Sequence, residues 1–177
     1  IEAVSGQPLD AYIQANITGP LGMASTTAKM TAAQRANSTP VHVRADDGSW
    51  VVTDIDWAQE PEYWGGGHFL YSTPRDYMAF QRMLLGGGTL GDVRILDRAT
   101  VDAAFTNQIG DLYFPPSIVS VHPELSVDVN LGPDLKWGLG LLLNEAQQPG
   151  MRAPGSGAWA GLFNTHFWVD RTSGVTG

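Results

Sequence analysis

The sequence predicts an α+β fold in which helices and strands occupy different parts of the chain. A capped amphipathic helix begins after Thr73, inside a region, 1–130, whose patterns are mainly those of helices and loops. Strand patterns dominate in 131–177, and the clearest of them alternates apolar and polar residues over 164–170. Separation of helices from strands along a chain is typical of the α+β class.

The composition is that of a globular protein, and it excludes several classes of function. The 177 residues suit one domain, and 43% of them are apolar, which is enough for a core. The net charge of −8 argues against binding to nucleic acid or to an anionic membrane surface, because cationic patches supply that attraction. Without Cys, disulfides, thiolate metal sites and cysteine nucleophiles are excluded. No apolar run reaches the ~18 residues of a membrane-spanning helix, and the chain does not open on a signal-peptide pattern.

The beginning of the chain is predicted as the end of one helix followed by a second helix. Residues 1–4 are interpreted as the last turn of the first helix, which Gly6 ends because glycine accepts the left-handed conformation of helix ends. Pro8 suits the first turn of the second helix, which Gly19 ends. The apolar face of the second helix consists of Leu9, Tyr12, Ile13 and Ile17. The chain begins without Met, so Ile1 is interpreted as an interior residue of a longer protein.

A hairpin and an aromatic segment follow a predicted surface loop over 21–40. Asp47-Gly48 between two β-rich runs is a hairpin signal, since glycine accepts a positive φ. The segment 54–71 is irregular and holds several aromatic residues and three consecutive glycines. Such a cluster could line a pocket for an apolar or sugar substrate, although aromatic residues also dominate ordinary cores. From the residues alone, we favour core packing.

The clearest helix of the sequence has signals at both ends. Thr73 caps it, Pro74 occupies the first helical position, and Asp76 completes a capping box. Gly86 ends it. Its apolar face consists of Tyr77, Phe80, Met83 and Leu84. A further helix is predicted from the capping residue Asp97 to about Asn107.

The remainder of the chain is predicted as a long loop followed by strands. The loop covers 109–136 and holds four of the eleven prolines. Strands are predicted over 137–143 and 164–170. After a turn at 171–174, Val175 begins a return strand that the chain does not finish.

Several motif matches do not carry a function. The string Gly86–Gly91 matches G-x-G-x-x-G, but a helix precedes it and a strand-like run follows, so it is interpreted as a helix stop. A calcium-loop pattern starts at Asp128, but Leu139 stands where the bidentate acid belongs. The four His show no metal-binding spacing, and both S-x-x-K and G-x-S-x-G are absent. Ser156, in a predicted turn at 154–157 without an identifiable base, is interpreted as a loop residue.

Seven segments along the chain carry a family likeness. The segments are Ile1–Leu9 with Tyr12–Ile13, Pro20–Met23, Gly65–Gly67, Ser72–Tyr77, Met83–Gly88, Trp137–Gly140 and Trp159–Thr165. In this order and spacing they resemble the serine hydrolases of the class C β-lactamase superfamily, in particular the β-lactamase-like carboxylesterases called family VIII. The likeness runs across nearly the whole chain.

The resemblance implies the β-lactamase and penicillin-binding-protein-like transpeptidase fold, an antiparallel sheet flanked by helices. Residues 1–177 would form an incomplete copy of that domain, with 1–130 as a helix and loop region and 131–177 as the C-terminal strands. Family members use a Ser in S-x-x-K as nucleophile, its Lys as base, and a Tyr in Y-x-N or Y-x-S. Both motifs are absent here and would lie before Ile1, while the family's final strands and C-terminal helix would follow Gly177.

The family's third motif is K-T-G in the lactamases and often W-x-G in the esterases, and Trp159-Ala160-Gly161 matches it. Acyl transfer passes through a tetrahedral oxyanion, which aimed backbone N–H groups stabilise. The resemblance assigns one such donor to the backbone N–H of Leu162. Trp159 stands where the lactamases carry a Lys or His for the β-lactam carboxylate, so it favours neutral esters. The small residues Ala160 and Gly161 would let the acyl group approach the strand.

The resemblance also makes the aromatic segment 57–71 a wall of the substrate pocket. The substrate-binding residues would be Trp64, His68, Phe69, Trp159 and Ala160. The catalytic residues of this chain would be Trp159, Gly161 and Leu162. No metal and no other cofactor is implied. The expected partners are a small ester and the N-terminal segment of the same protein, with no nucleic acid and no membrane.

We therefore expect a serine carboxylesterase that cleaves small esters through an acyl-enzyme, with this chain inactive by itself because the nucleophile motif is missing. Two alternatives stay open. One is a non-catalytic ligand-binding or interaction segment that complements a separate N-terminal part. The other is a β-lactamase or a D-Ala-D-Ala peptidase. The sequence assigns no compartment, since the bacterial cytoplasm, the periplasm and secretion are all compatible with it.

Overall fold

Helices precede most of the strands along the chain, in the order that the sequence patterns predict. The computed structural model describes residues 1–55, 58–121, 127–147, 149–161 and 163–177. Its helices are α1 (Glu2–Ser5), α2 (Leu9–Ile13), α3 (Ala32–Ala36), α4 (Pro74–Leu85) and α5 (Arg98–Ala104). Its strands are β1 (His42–Arg44), β2 (Trp50–Val52), β3 (Thr89–Leu90), β4 (Val93–Arg94), β5 (Ser117–Ile118), β6 (Val129–Asn130), β7 (Leu135–Trp137), β8 (Leu142–Asn144), β9 (Ser156–Ala160), β10 (His166–Asp170) and β11 (Val175–Thr176).

The first helices and the first hairpin follow the sequence prediction, with one irregularity. Gly6 ends α1 at a φ of 68°, and Gly48 supports the β1–β2 turn at a φ of 82°. The irregularity is that α2 passes directly into a π-helical turn over Gln14–Thr18. A Cβ on Gly19 would lie 2.7 Å from the carbonyl oxygen of Gln14, so the exit from this wide turn needs a glycine.

The N-terminus of α4 differs in one detail from the predicted capping box. Thr73 caps the helix, since its hydroxyl accepts the backbone N–H of Asp76 at 3.2 Å. The Asp76 carboxylate does not complete the box. It accepts the backbone N–H of Ser25 at 2.7 Å and the hydroxyl of Thr26 at 3.1 Å. Asp76 therefore joins α4 to the preceding loop.

The apolar face of α4 packs against β10, and this contact forms the centre of the core. Met83 and Leu84 are buried together with Val169 of β10. The ring of Tyr77 meets the ring of Phe167 edge to face, with 5.3 Å between centroids. Because burying one large aliphatic side chain stabilises a fold by roughly 1.5–3 kcal/mol, this contact fixes β10 firmly on α4.

The main sheet contains five antiparallel strands among the described residues, in the order β11-β10-β9-β8-β7. The middle strand is β9. In the register with β10, Trp159 lies opposite Phe167 and Ala160 lies opposite His166. The third motif is thus carried by a strand that has a partner on each side.

The predicted strand over 137–143 is wrong, because this segment contains the turn of a hairpin. The strand β7 ends at Trp137, and β8 begins at Leu142. Gly140 makes the turn at a φ of 78°, and a Cβ on Gly138 would collide with the carbonyl oxygen of Ala104. The continuous apolar run therefore belongs to two short paired strands.

Two further local assignments need correction. Ser156 lies inside β9 rather than in a turn, is only 1% exposed, and donates its hydroxyl to the carbonyl oxygen of Ala153 at 2.7 Å. The helix α5 ends at Ala104, and Asp97 occupies its N-cap position without a side-chain capping bond. In contrast, the interpretation of Gly86–Gly91 as a helix stop is confirmed, because Gly86 caps the end of α4 and the string continues into β3 and its turn.

Candidate functional site

The third motif lies at the end of the central strand. Trp159 and Ala160 are the last residues of β9, and Gly161 begins the short turn into β10. The backbone N–H of Gly161 donates to the carbonyl oxygen of Thr165 at 2.7 Å, and that of Asn164 donates to the carbonyl oxygen of Gly161 at 3.2 Å. The N–H of Gly161 is therefore occupied inside the turn.

Space around Gly161 explains why this position is small. A Cβ on Gly161 would collide with the side-chain oxygen of Thr165. Asn164 adopts a φ of 59°, which a short polar side chain tolerates better than most others. Leu162, the predicted oxyanion donor, lies outside the described residues.

Trp159, the first residue of the motif, belongs to an aromatic cluster with Phe114 and Trp137. The rings of Trp137 and Trp159 meet edge to face at a centroid distance of 4.7 Å. Phe114 stacks on Trp137 at 5.2 Å and meets the edge of Trp159 at 5.7 Å. Trp159 nevertheless remains 36% exposed.

Sequence reasoning missed Phe114 and Trp137 as neighbours of the motif. They stand 45 and 22 residues before Trp159, and Phe114 belongs to a loop without any periodic pattern. A backbone hydrogen bond brings Phe114 to this place, since its N–H donates to the carbonyl oxygen of Leu135 at 2.8 Å. This bond places the loop along the outer edge of β7.

No lysine charge is offered to the third motif, since both lysines of the sequence are engaged elsewhere. Lys136 is only 4% exposed, and its ammonium donates to the carbonyl oxygens of Gly110 and Leu112 at 2.8 and 2.9 Å. Lys29 pairs with Glu60 at the surface, with 3.4 Å between Nζ and Oε1. At the motif itself, the indole of Trp159 occupies the place that the family resemblance gives to a cation.

Two titratable side chains, His166 and Tyr77, lie on β10 or pack against it. His166, across from Ala160, is exposed and shares a 2.9 Å hydrogen bond between its Nε2 and the side-chain oxygen of Asn164. Tyr77 packs against Phe167, and burial raises the pKa of its phenol. Tyr77 therefore stays protonated at neutral pH, which disfavours a role as a general base.

The aromatic segment forms a separate group. Trp64 and Phe69 have their ring centroids 5.6 Å apart, and the ring of His68 packs so closely on Gly65 that a Cβ there would lie 2.6 Å from it. Three of the five predicted substrate-binding residues, Trp64, His68 and Phe69, line one cavity of about 100 Å³. Trp64 also lines a second cavity, of about 330 Å³, which reaches the beginning of the chain.

Neither of these cavities is lined by Trp159 or Ala160. The structure thus brings together Trp64, His68 and Phe69 in one place and Trp159, Ala160 and Gly161 in another. A pocket wall that joins the two groups stays a prediction. In the parts of the chain that the structure describes, no cluster of His, Asp or Glu could hold a metal ion, and no helix has the length and apolar character of a membrane span.

Asp170, at the end of β10, organises the support of the motif strand and was not found from the sequence. It is 3% exposed, and it accepts the backbone N–H groups of Ala153, Thr172 and Ser173 at 2.9, 3.0 and 2.9 Å. Burial raises the pKa of this carboxyl, but the hydrogen bonds from Ser173, Ala153 and Thr172 together outweigh burial and leave the pKa below its ordinary value. Asp170 is therefore charged at neutral pH.

Comparison with known proteins finds a matching family model and several related sequences. The family model described as Beta-lactamase matches residues 1–177. The chain is 27% identical over 177 residues to an uncharacterized protein of Mycobacterium tuberculosis, covering 96% of this chain and 42% of that protein. It is 31% identical over 130 residues to an Escherichia coli protein named "Putative D-alanyl-D-alanine carboxypeptidase", covering 64% of this chain and 30% of that protein.

Solved structures share the fold. Simvastatin synthase from Aspergillus terreus superposes with a TM-score of 0.80 at 23% identity, covering 99% of this chain and 44% of that one. EstCE1, a hydrolase with promiscuous acyltransferase activity, superposes with a TM-score of 0.73 at 19% identity, covering 99% of this chain and 46% of that one. A penicillin-binding protein homologue from Caulobacter crescentus superposes with a TM-score of 0.61 at 14% identity, covering 99% of this chain and 47% of that one. The chain therefore has the β-lactamase and penicillin-binding-protein-like fold, and it spans less than half the length of each of these relatives.

Proposed function

Because the chain belongs to the Beta-lactamase family, a superfamily of serine hydrolases, we propose that it is the third-motif segment of a serine carboxylesterase. The reaction is hydrolysis of a small neutral ester through an acyl-enzyme. One observation carries this proposal. Trp159 occupies the first position of the motif, at the end of the central strand, with its ring partly open to solvent.

The proposed chemistry divides between this segment and the rest of the protein. The hydroxyl oxygen of a serine attacks the ester carbonyl, the alcohol leaves with a proton, and water then hydrolyses the acyl-enzyme to free acid and serine. No S-x-x-K occurs within residues 1–177, so we assign the serine and its lysine base to another part of the polypeptide. The backbone N–H of Leu162 would stabilise the oxyanion, while Ala160 and Gly161 leave room for the acyl group.

The charge at the motif favours an ester over a β-lactam. A β-lactam carries a carboxylate, and charge-assisted hydrogen bonds to such a group are roughly twice as strong as neutral ones. Trp159 can donate one indole N–H but supplies no positive charge. Lys136 is occupied by two carbonyl oxygens, so it does not replace the missing cation.

A second candidate function is removal of a terminal D-Ala from a peptide. The likeness to the Escherichia coli protein named as a D-alanyl-D-alanine carboxypeptidase favours it. Its substrate also ends in a carboxylate, however, and the position of Trp159 offers that group no cation. We therefore rank ester hydrolysis above D-Ala removal as the function.

Substrate selectivity of the complete natural protein tests the proposal. We expect hydrolysis of p-nitrophenyl butyrate, with kcat/KM for nitrocefin at least about a hundredfold lower, because only the ester needs no cation at residue 159. Trp159→Lys should lower the ratio of ester to nitrocefin turnover by about tenfold or more. Trp168→Phe, a change of another tryptophan on the neighbouring strand, is the matched control and should leave this ratio unchanged.

Each other outcome assigns a different function. Preferential turnover of nitrocefin would identify a β-lactamase, and release of D-Ala from a D-Ala-D-Ala peptide would identify a peptidase. If the folded protein turns over none of the three substrates, the non-catalytic interpretation replaces the enzyme.

A further inference from the structure

Lys136 is the most unusual charged residue near the third motif. It lies in β7, is 4% exposed, and directs its ammonium away from the sheet onto the loop before the strand. There it donates to the carbonyl oxygens of Gly110 and Leu112 and sits 3.7 Å from the centre of the Tyr113 ring. One ammonium thus contacts three of the four loop residues over 110–113.

The backbone holds the same loop at both ends. The N–H of Gln108 donates to the carbonyl oxygen of Trp137, and the N–H of Phe114 donates to that of Leu135, each at 2.8 Å. Between these two bonds the loop has no strand pairing with β7, and Lys136 fills this gap. The ammonium therefore connects this part of the loop to β7, where backbone hydrogen bonds between them are absent.

The loop ends on the motif. Phe114 follows directly after the residues that Lys136 holds, and its ring meets both Trp137 and Trp159. Phe114 therefore joins this loop to the ring of Trp159. Among the described residues, no ion pair includes Lys136.

We propose that Lys136 is a positioning residue for substrate selectivity: it fixes the loop over 110–114, and the loop holds Phe114 against Trp159 and limits the space beside the third motif. This inference rests on the proposed esterase function. It assigns to the protein a preference for short acyl groups, because a fixed Phe114 occupies the volume that a longer chain would enter. An ammonium bound to carbonyl oxygens is a good device for this, since charged hydrogen bonds are shorter and stronger than neutral ones.

Kinetics of the complete protein on p-nitrophenyl acetate, butyrate and octanoate test the inference. Lys136→Met keeps the length of the side chain but removes its three contacts with the loop. We expect the KM for octanoate to fall by about fivefold or more relative to the KM for acetate, with little change in the ratio of the two kcat values. Lys29→Met, which removes an exposed lysine far along the sequence, is the matched control and should leave both ratios unchanged.

A second variant keeps the test decisive if Lys136→Met does not fold. Phe114→Ala removes the proposed obstacle but leaves the lysine contacts intact, and it should shift the KM ratio in the same direction. If both variants fold and neither shifts the KM ratio more than Lys29→Met does, the inference is wrong. A uniform loss of activity on all three esters would also overturn it, because it would indicate a purely structural role.

A spectroscopic measurement separates this inference from the proposed function. In protein labelled with 5-fluorotryptophan, ¹⁹F resonances of Trp137 and Trp159 can be assigned with single Trp→Phe variants. We expect Lys136→Met to shift or broaden both resonances, and Lys29→Met to shift neither. If no ester is hydrolysed but these resonances move, the esterase proposal and the acyl-length preference fail, while the role of Lys136 in holding Phe114 against Trp159 stands. If they do not move, the positioning role fails whatever the activity.

Discussion

At the scale of single residues, the third motif is supported by polar groups that lie outside it. Asp170 binds three backbone N–H groups, and through Ala153 it holds the segment that leads into β9. Arg152 lies beside it, where burial lowers the pKa of the guanidinium and the charge of Asp170 opposes that effect. These contacts fix the beginning of β9 and the end of β10 against each other.

The charge of Asp170 predicts an acid-sensitive contribution to stability. The pKa of its carboxyl in the folded protein lies below the ordinary value of 3.8, so its contribution is complete above that pH and is lost as the pH falls through the folded-state pKa. We expect Asp170→Asn to lower the free energy of unfolding by about 1–3 kcal/mol at pH 7, because buried donors lose a charged acceptor.

Urea unfolding of both proteins at several pH values checks this prediction. The difference between wild type and Asp170→Asn should shrink as the pH drops below 3.8. The matched control is Asp111→Asn, at an exposed loop position, which should change stability by no more than about 0.5 kcal/mol. A difference for Asp170→Asn that stays constant from pH 7 down to acid unfolding would contradict the account.

Residue roles of this kind are hard to predict from sequence. The small size of Gly161 and the neutral character of Trp159 are readable directly, since they are properties of the residues themselves. The bonds of Asp170 to Ala153 and of Lys136 to Gly110 join residues 17 and 26 positions apart. Such pairs follow no local period, so only the folded chain reveals them.

At the scale of elements, α4 is the part of the fold that the sequence predicts best. Its cap, its proline at the first position and its apolar face are all local signals, and each is present in the structure. The hairpin of β7 and β8 is the opposite case. Its strands are three residues each, too short for a period to show, so the sequence pattern places the two glycines between them inside one strand.

The half-formed capping box predicts an order of stability effects at the start of α4. Thr73→Ala should cost about 1 kcal/mol, as the loss of a helix cap normally does. Asp76→Ala should cost more, about 1–3 kcal/mol, because it leaves the N–H of Ser25 without its acceptor and removes one of the two partners of the Thr26 hydroxyl, which keeps Ser72.

Thermal unfolding of the two variants, with Asp92→Ala at an exposed turn as control, measures this order. If Asp76→Ala costs no more than Thr73→Ala, the carboxylate acts only within the helix cap and the loop contact is unimportant. If Thr73→Ala and Asp76→Ala both destabilise the protein no more than Asp92→Ala does, neither set of hydrogen bonds contributes to stability.

At the scale of the whole molecule, the fold class and the family could be predicted because they depend on the order of many short segments. The antiparallel sheet flanked by helices is confirmed, and the Beta-lactamase family model matches the whole chain. The geometry of the site could not be predicted in the same way. Trp64, His68 and Phe69 do share a cavity, but the third motif does not line it. The separation of these two groups of residues depends on long-range packing that no local pattern encodes.

The central claim is that a serine outside this segment performs the reaction, while the segment supplies the third motif. Ser156 supports the claim, since its hydroxyl is buried and already donates to Ala153. Sequence alone adds that no serine between residues 1 and 177 is followed three positions later by a lysine.

Labelling with a serine-reactive phosphonate tests this claim most directly. The complete natural protein is inactivated with a p-nitrophenyl phosphonate, digested, and its peptides are mapped by mass spectrometry. We expect a single adduct on a serine outside residues 1–177, and neither adduct nor ester turnover when the 177-residue chain is treated by itself. An adduct on Ser156 or on any other serine within residues 1–177, with loss of activity in proportion to labelling, would contradict the account.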